Sequence, residues 1–247
     1  MAEFTATFIT ITMKKAIFCW SGGKDSSLCL YEVLKENVYD VRYLLTTVNE
    51  NFKRISMHGV REELVRRQAE SLGIELKIVY VREGNNAEYE RNMEALLREM
   101  KKEGIDHVIF GDIFLEDLRQ YRENNLAKIN MKAVFPLWKK DTSVLIEKFI
   151  TLGFKTITCC VNDLYLGEEM VGKTVDKSFI DSLPANVDPC GENGEFHTFC
   201  FDGPIFSKPV GFLKAENVYK PLEVKSDKVC SSLEGTKGFW FCELVPA

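Results

Sequence analysis

The sequence predicts an α/β fold: a parallel sheet with helices on both faces, plus a smaller C-terminal α+β region. Three observations carry this. Short apolar runs alternate with amphipathic segments through the first 160 residues. Those runs are apolar almost throughout, as strands covered on both faces must be. Past residue 162 the rhythm breaks, and glycines and prolines cluster between Pro184 and Gly211.

The elements follow in order. Ala16–Trp20 reads as a buried first strand, and Ser26–Lys35 as a helix with Leu28, Tyr31 and Leu34 on one face. Val41–Val48 is the second strand, and Val60–Leu72 a helix that Gly73 ends. Glu75–Val81 is the third strand, followed by a long helix at Ala87–Glu103 closed by Gly104. Asp106–Phe110 is the fourth strand, Leu115–Ile129 a helix and Ala133–Phe135 a short strand. Ser143–Leu152 is a helix stopped by Gly153, and Lys155–Val161 another strand. Glu195–Phe201, Val218–Val224 and Gly238–Leu244 read as later strands. The division falls near Lys132–Asp141, giving units of 14–135 and 136–247. Residues 1–12 read as an extension or tag, because Met13-Lys14-Lys15 looks like a second start.

Composition narrows the function classes. The chain of 247 residues is 45% hydrophobic and 28% charged, which suits a folded globular protein and excludes dominant disorder. Acidic residues outnumber basic ones, 37 to 32, for a net charge of -5. That balance argues against broad nucleic-acid binding. No apolar run is long enough to span a membrane, and the first residues lack the basic start and apolar core of a signal peptide. The eight cysteines form no C-x-x-C pair, so zinc and redox spacings are missing. Reduced thiols in a cytoplasmic protein are the expectation.

In an open parallel sheet, ligands gather at the carboxyl ends of the strands. Ser21-Gly22-Gly23-Lys24-Asp25-Ser26 follows the first strand there and opens a helix. Gly22 and Gly23 permit positive φ and close approach to an anion. Helix-start amides point at such an anion, and Lys24 adds a point charge. Ser21 and Ser26 add hydroxyl donors, and Asp25 is placed to cap the helix or hold Mg²⁺. A second string, Gly167–Thr174, matches G-x-x-x-x-G-K-T literally. Glu168 and Glu169 would repel a phosphate inside that loop, so it reads as a turn or helix start.

Other candidates cluster near strand ends. His58 lies between the second strand and its helix, where it could meet adenine or phosphate. Gly111 and Asp112 follow the fourth strand. Gly111 permits close backbone approach, Asp112 or Asp117 could orient a substrate or metal, and Arg119 could balance charge. His107, at the other end of that strand, reads as structural. The segment Asp188–Thr198 holds Gly191, Glu192, Asn193, Gly194, Glu195, His197 and Thr198. Period two puts Glu195 and His197 side by side, a candidate acid/base pair.

SGGKDSS resembles the pyrophosphate loop (PP-loop) of the N-type ATP pyrophosphatases, whose sheet is of the adenine nucleotide alpha hydrolase type. GENGEFHTFCFDGPIF resembles the G-E-x-G-E-[FY]-x-T signature of the diphthine–ammonia ligases, and GDIFLEDLR, PLWKKD and LGFKTI are similar to the same group. The resemblance covers about residues 14–210. It implies a ligase that uses ATP with Mg²⁺ to adenylate a carboxylate, releases pyrophosphate and AMP, and transfers ammonia to form an amide. On that resemblance Ser21–Ser26 hold the phosphates, and Gly191, Asn193, Gly194, Thr198 and Arg119 belong to the acceptor site. Lys24, Glu192, Glu195 and His197 carry the chemistry, with Glu192 and Glu195 steering ammonium or taking its proton. Asn193 and His197 resemble the bacterial-type relatives, whose hosts do not make diphthamide. The acceptor is therefore protein-borne diphthine if the host makes diphthamide, and another carboxylate otherwise. Another PP-loop adenylating enzyme, for RNA thiolation or small-molecule modification, and a non-catalytic ATP-binding sensor are the rival readings. The lack of paired catalytic cysteines counts against thiolation, and residues 191–198 against the sensor.

Overall fold

The computed structural model describes residues 12–55, 58–82, 86–222 and 235–247. The proposed extension at 1–12 therefore falls almost wholly outside the described residues, as do Cys230 and the end of the expected strand at 218–224.

The first sheet holds β1 (Lys14–Cys19), β2 (Tyr39–Asn49), β3 (Arg54–Ile55), β4 (Glu75–Val81), β5 (His107–Ile109) and β6 (Lys132–Val134). Their order is β3-β2-β1-β5-β6, with β4 also paired to β2. Every pairing is parallel except β2 with β3. The helices between them are α1 (Lys24–Glu36), α2 (Glu62–Leu72), α3 (Asn86–Lys102) and α4 (Glu116–Ala127). Strand alternation sends adjacent residues of β1 to opposite faces. Phe18 enters one buried cluster with Leu44, Leu64 and Val65, while Ile17 enters the other with Leu45, Leu97 and Met100. Both faces are thus covered, as the apolar strands required. Gly73 ends α2 in the left-handed region at φ 68°, its amide bonded to the last turn, as the sequence suggested.

The second sheet is antiparallel, in the order β8-β7-β10-β9. It contains β7 (Lys155–Asn162), β8 (Phe196–Asp202), β9 (Phe212–Pro221) and β10 (Gly238–Pro246). Between the sheets runs α5 (Thr142–Thr151), its first turn capped by the Asp141 carboxylate. A short α6 (Lys177–Asp181) precedes β8. Strand β7 forms where the alternation puts it but pairs antiparallel with β8 and β10. An apolar run covered on both faces reads alike in either kind of sheet, so sequence pattern alone does not separate the two. The larger buried cluster spans both sheets, packing Phe18 and Leu64 together with Phe154, Phe196 and Phe199. It draws β8 up against the end of β1.

Candidate functional site

The loop between β1 and α1 lies at the carboxyl end of β1, next to the central line of the first sheet. Gly22 has φ +79°, whereas Gly23 is extended at φ -91°. Only the first glycine uses the left-handed freedom expected of both. Gly23 is the cap residue of α1 and has no side chain to bond the helix amides. The first-turn amides of Asp25 and Ser26 have no intrahelical acceptor. Charge and dipole there suit an anion.

The serines fold the loop onto itself. Ser21 Oγ bonds Ser26 Oγ at 3.1 Å, and Ser26 and Ser27 donate to the Gly23 carbonyl at 3.0 and 2.8 Å. Gly111 leaves β5 directly beneath: a Cβ there would stand 3.3 Å from Ser26 Cα. The close approach expected of Gly111 is therefore made to the start of α1.

The second sheet forms the other wall. The Lys24 amide donates to Thr198 Oγ1 at 3.0 Å, and the Cys200 amide to the Gly22 carbonyl at 2.8 Å. Lys24 is only 3% exposed, and its ammonium bonds Asp25 Oδ2 at 2.7 Å and the Cys190 carbonyl. It also lies over the Phe196 ring, 5.2 Å from the centroid. Burial alone would lower the Lys24 pKa. Asp25, and behind it Cys190 and Glu192, outweigh burial and raise it, so the side chain stays charged. Its charge is internal to the site and already paired, where an open point charge was expected.

Two carboxylates of the second motif take different places. Glu192 Oε1 accepts from the Ile113 amide at 2.9 Å, just beyond β5. Burial first, then the charge of Asp25, push its carboxyl from 4.5 up to about 7, against the opposing pull of the Ile113 amide and Lys24. Glu195 is fully buried and turned into its own loop. Its oxygens accept from the amides of Asp188 (3.0 Å) and Asn193 (2.9 Å) and from Asn193 Nδ2 (3.0 Å). The expected side-by-side pair of Glu195 with His197 is not formed, because Glu195 precedes β8 in a turn where strand alternation does not hold. Asn193 likewise spends its side chain on Glu195, and Thr198 its hydroxyl on Lys24. Gly191 (φ +65°) and Gly194 (φ +85°) make the turn possible.

His197 instead stacks on His58, with centroids 4.7 Å apart and planes tilted 32°. His58 Nδ1 lies 3.2 Å from the Thr198 carbonyl, which can only accept, so Nδ1 carries the proton. Burial lowers His58 to about 4 and holds His197 well below the usual imidazole range, with Lys24 adding to both. Both rings are neutral at pH 7. His197 Nε2 is buried without a hydrogen-bond partner.

Asp112 sits across from Asp25 and Glu192. Its partner is Arg122, at 2.8 Å, whose guanidinium also covers the Phe110 ring at 4.2 Å. Burial nonetheless leaves the Asp112 carboxyl above its usual range, with Arg122 opposing and Asp25 adding. Arg119 does not balance Asp112. It pairs with Glu123 at 2.8 Å and stacks over Trp138 and Phe135. The residues lie three apart on α4 and share a face, but Arg122, nearly a turn further along, is the one within reach of Asp112. Among the described residues no group of three or more His, Cys, Asp or Glu is placed to hold a metal ion. Asp25 is the carboxylate in the loop, and a Mg²⁺ ion commonly needs only one or two carboxylates beside substrate phosphates.

Sequence reasoning missed Gln68 and Arg122. Gln68 is fully buried on α2, in register with Leu64 on the apolar face. A lone amide in an apolar helical stripe was the available signal. The string Gly167–Thr174 is a turn, with a single 3₁₀ turn at Glu168–Met170 and Lys173 bonded to Thr158 of β7. No helix among the described residues is long and apolar enough to cross a membrane.

Residues 13–133 match the family model of the diphthamide synthase N-terminal domain, and residues 141–226 that of its C-terminal domain. Curated diphthine–ammonia ligases are similar. The human protein is 27% identical over 175 residues, covering 68% of this chain and 64% of its own length. The mouse protein is 26% identical over 217 residues, covering 77% and 79%. The chain thus matches just under two thirds of the human relative's length. Two solved structures show weaker likeness, each at 17% identity. A predicted subunit of tRNA methyltransferase from Methanocaldococcus jannaschii has a TM-score of 0.39, covering 61% of this chain and 80% of that one. The U34-tRNA thiolase NcsA from Methanococcus maripaludis has a TM-score of 0.37, covering 60% and 61%.

Proposed function

The chain belongs to the diphthine–ammonia ligase-like family, and on that premise we propose that it is an ATP-dependent, amide-forming ligase. A carboxylate oxygen of the acceptor attacks the α-phosphorus of ATP, and pyrophosphate leaves. Ammonia then attacks the acyl carbon, AMP leaves, and the nitrogen gives up a proton.

The observation that carries this reading is the uncapped start of α1 facing a carboxyl near neutrality. The amides at Asp25 and Ser26 form the phosphate end, with the buried Lys24 ammonium behind them held by Asp25. Glu192 is the proton acceptor, because a carboxyl at about 7 holds a proton and releases it at working pH. Asp25 is neutralised by Lys24, so Glu192 in its ionised form carries the charge that draws ammonium. Asp25 is also the candidate ligand for Mg²⁺, whose role is to neutralise phosphate charge. Glu195 and Asn193 keep the Glu192 turn in shape. The neutral His58–His197 pair lines the loop, with His197 Nε2 buried and unpartnered. The Asn193 and His197 variant of the motif fits an acceptor other than diphthine.

The test is product analysis. The protein is incubated with ATP, Mg²⁺, ammonium and elongation factor two carrying diphthine, or a panel of small carboxylates. AMP and pyrophosphate are expected, with Lys24→Ala abolishing and Glu192→Gln strongly reducing their release. Production of ADP and phosphate, or AMP release unchanged in Lys24→Ala, refutes the proposal.

A further inference from the structure

Gln68 stands at the meeting point of three chain segments. Its Oε1 accepts from the Trp20 indole Nε1 at 3.0 Å. Its Nε2 donates to the Gly22 carbonyl at 2.9 Å and to the Cys200 carbonyl at 2.6 Å. The polarity of these bonds is fixed. An indole N–H only donates and a backbone carbonyl only accepts, so the amide has a single orientation that satisfies all three.

The geometry also constrains the loop. An added Cβ on Gly22 would stand 2.5 Å from Gln68 Oε1. The side chain therefore fills the space under Gly22, where the backbone takes its left-handed turn at φ +79°. The same Gly22 carbonyl receives the Cys200 amide of β8 at 2.8 Å. Gln68 thus ties the end of β1, the turn of the loop and the edge of the second sheet into one rigid unit.

We infer that Gln68 is a positioning residue for the nucleotide loop: through Gly22 and Cys200 it sets the direction of the Gly23–Ser26 amides, without touching substrate. This rests on the reading of that loop as the ATP site. No other side chain of Gln68's size meets its demands. Glutamate would aim a second oxygen at two carbonyls, and methionine would leave an indole donor unpaired and remove a donor from two buried carbonyls.

The inference is tested with Gln68→Met, Gln68→Glu and Trp20→Phe. For each, thermal stability, KM for ATP, KM for the acceptor and kcat are measured. Hydrogen exchange at the Gly22–Ser26 amides is followed in the absence of nucleotide. Gln68→Met is expected to raise KM for ATP by about 10- to 100-fold, a loss of one to two buried hydrogen bonds, with KM for the acceptor changed less than threefold. Exchange in the loop should quicken while that in β4 does not. Gln68→Glu should recover towards the wild type as pH falls, because a protonated acid donates to one carbonyl again. Trp20→Phe frees only Oε1 and should fall between wild type and Gln68→Met, which keeps the test decisive if the methionine variant fails to fold. Lower stability with KM for ATP and loop exchange unchanged overturns the inference and leaves a structural role. A wild type that forms no product from ATP refutes the ATP reading instead, and loop exchange still decides whether Gln68 orders the loop.

Discussion

Replacing Glu192 by Gln removes a proton-binding group and keeps the acceptor oxygen for Ile113. The native carboxyl sits at about 7 against an ordinary 4.5. Below pH 4.5 the folded and unfolded chains both hold the proton, and the group's contribution to stability is full. Between 4.5 and 7 only the unfolded chain releases it, so stability falls by about 1.4 kcal/mol per pH unit. Above 7 both are ionised, and the native state carries the whole penalty, about 3 kcal/mol. Burial and the charge of Asp25 supply that penalty. Equilibrium urea unfolding of wild type and Glu192→Gln at pH 5 and pH 8 measures it. The variant should gain about 2–3 kcal/mol relative to wild type between the two conditions. Asp112, His58 and His197 titrate in both proteins and largely cancel in the difference. The same variant should lose ligase activity, so stability and turnover move in opposite directions. A stability difference that does not change with pH would mean that Glu192 is an ordinary exposed carboxylate, and its role as proton acceptor would fall with it.

Three further outcomes are expected. Gly22→Ala forces a Cβ into the left-handed region, at about 1–2 kcal/mol, and into Gln68 Oε1; a drop in melting temperature larger than for Gly73→Ala, whose Cβ meets nothing within 4 Å, checks this. Thr198→Val keeps the shape but leaves the buried Lys24 amide without an acceptor, costing about 1–3 kcal/mol in urea unfolding and raising KM for ATP. Arg122→Met strips Asp112 of its partner and should cost about 1.5–3 kcal/mol, while Arg119→Met, which breaks a more exposed pair on α4, should cost about 1 kcal/mol or less.

What could be read from the sequence was what lies close together along it. The strand-loop-helix at Ser21–Ser26 and the stop at Gly73 each depend on a few consecutive residues. The first sheet followed from apolar runs because a parallel sheet must be covered twice. Relations across the fold were not legible. Nothing near Lys155 announces that β7 pairs antiparallel with β8. Arg119 and Arg122 have the same chemistry and share a face of α4, and only their places along the helix decide which meets Asp112. Glu195 looked catalytic because a carboxylate near a histidine is a familiar pattern, yet three bonds within its own turn occupy it. Gln68 was hidden because its partners, Trp20, Gly22 and Cys200, come from distant parts of the chain.

The bond from the Lys24 amide to Thr198 spans 174 residues, and this has a consequence during synthesis. At about 5–20 residues per second, the loop emerges roughly 10–35 seconds before the strand that completes it. Over that interval the first sheet can form, since β1, β2, β4 and β5 are all made. The loop, lacking Thr198, Cys190 and Cys200, stays unfinished. A nascent chain halted before β8 should therefore fold its first sheet and still fail to bind nucleotide, so that the site becomes competent only when most of the chain has been built.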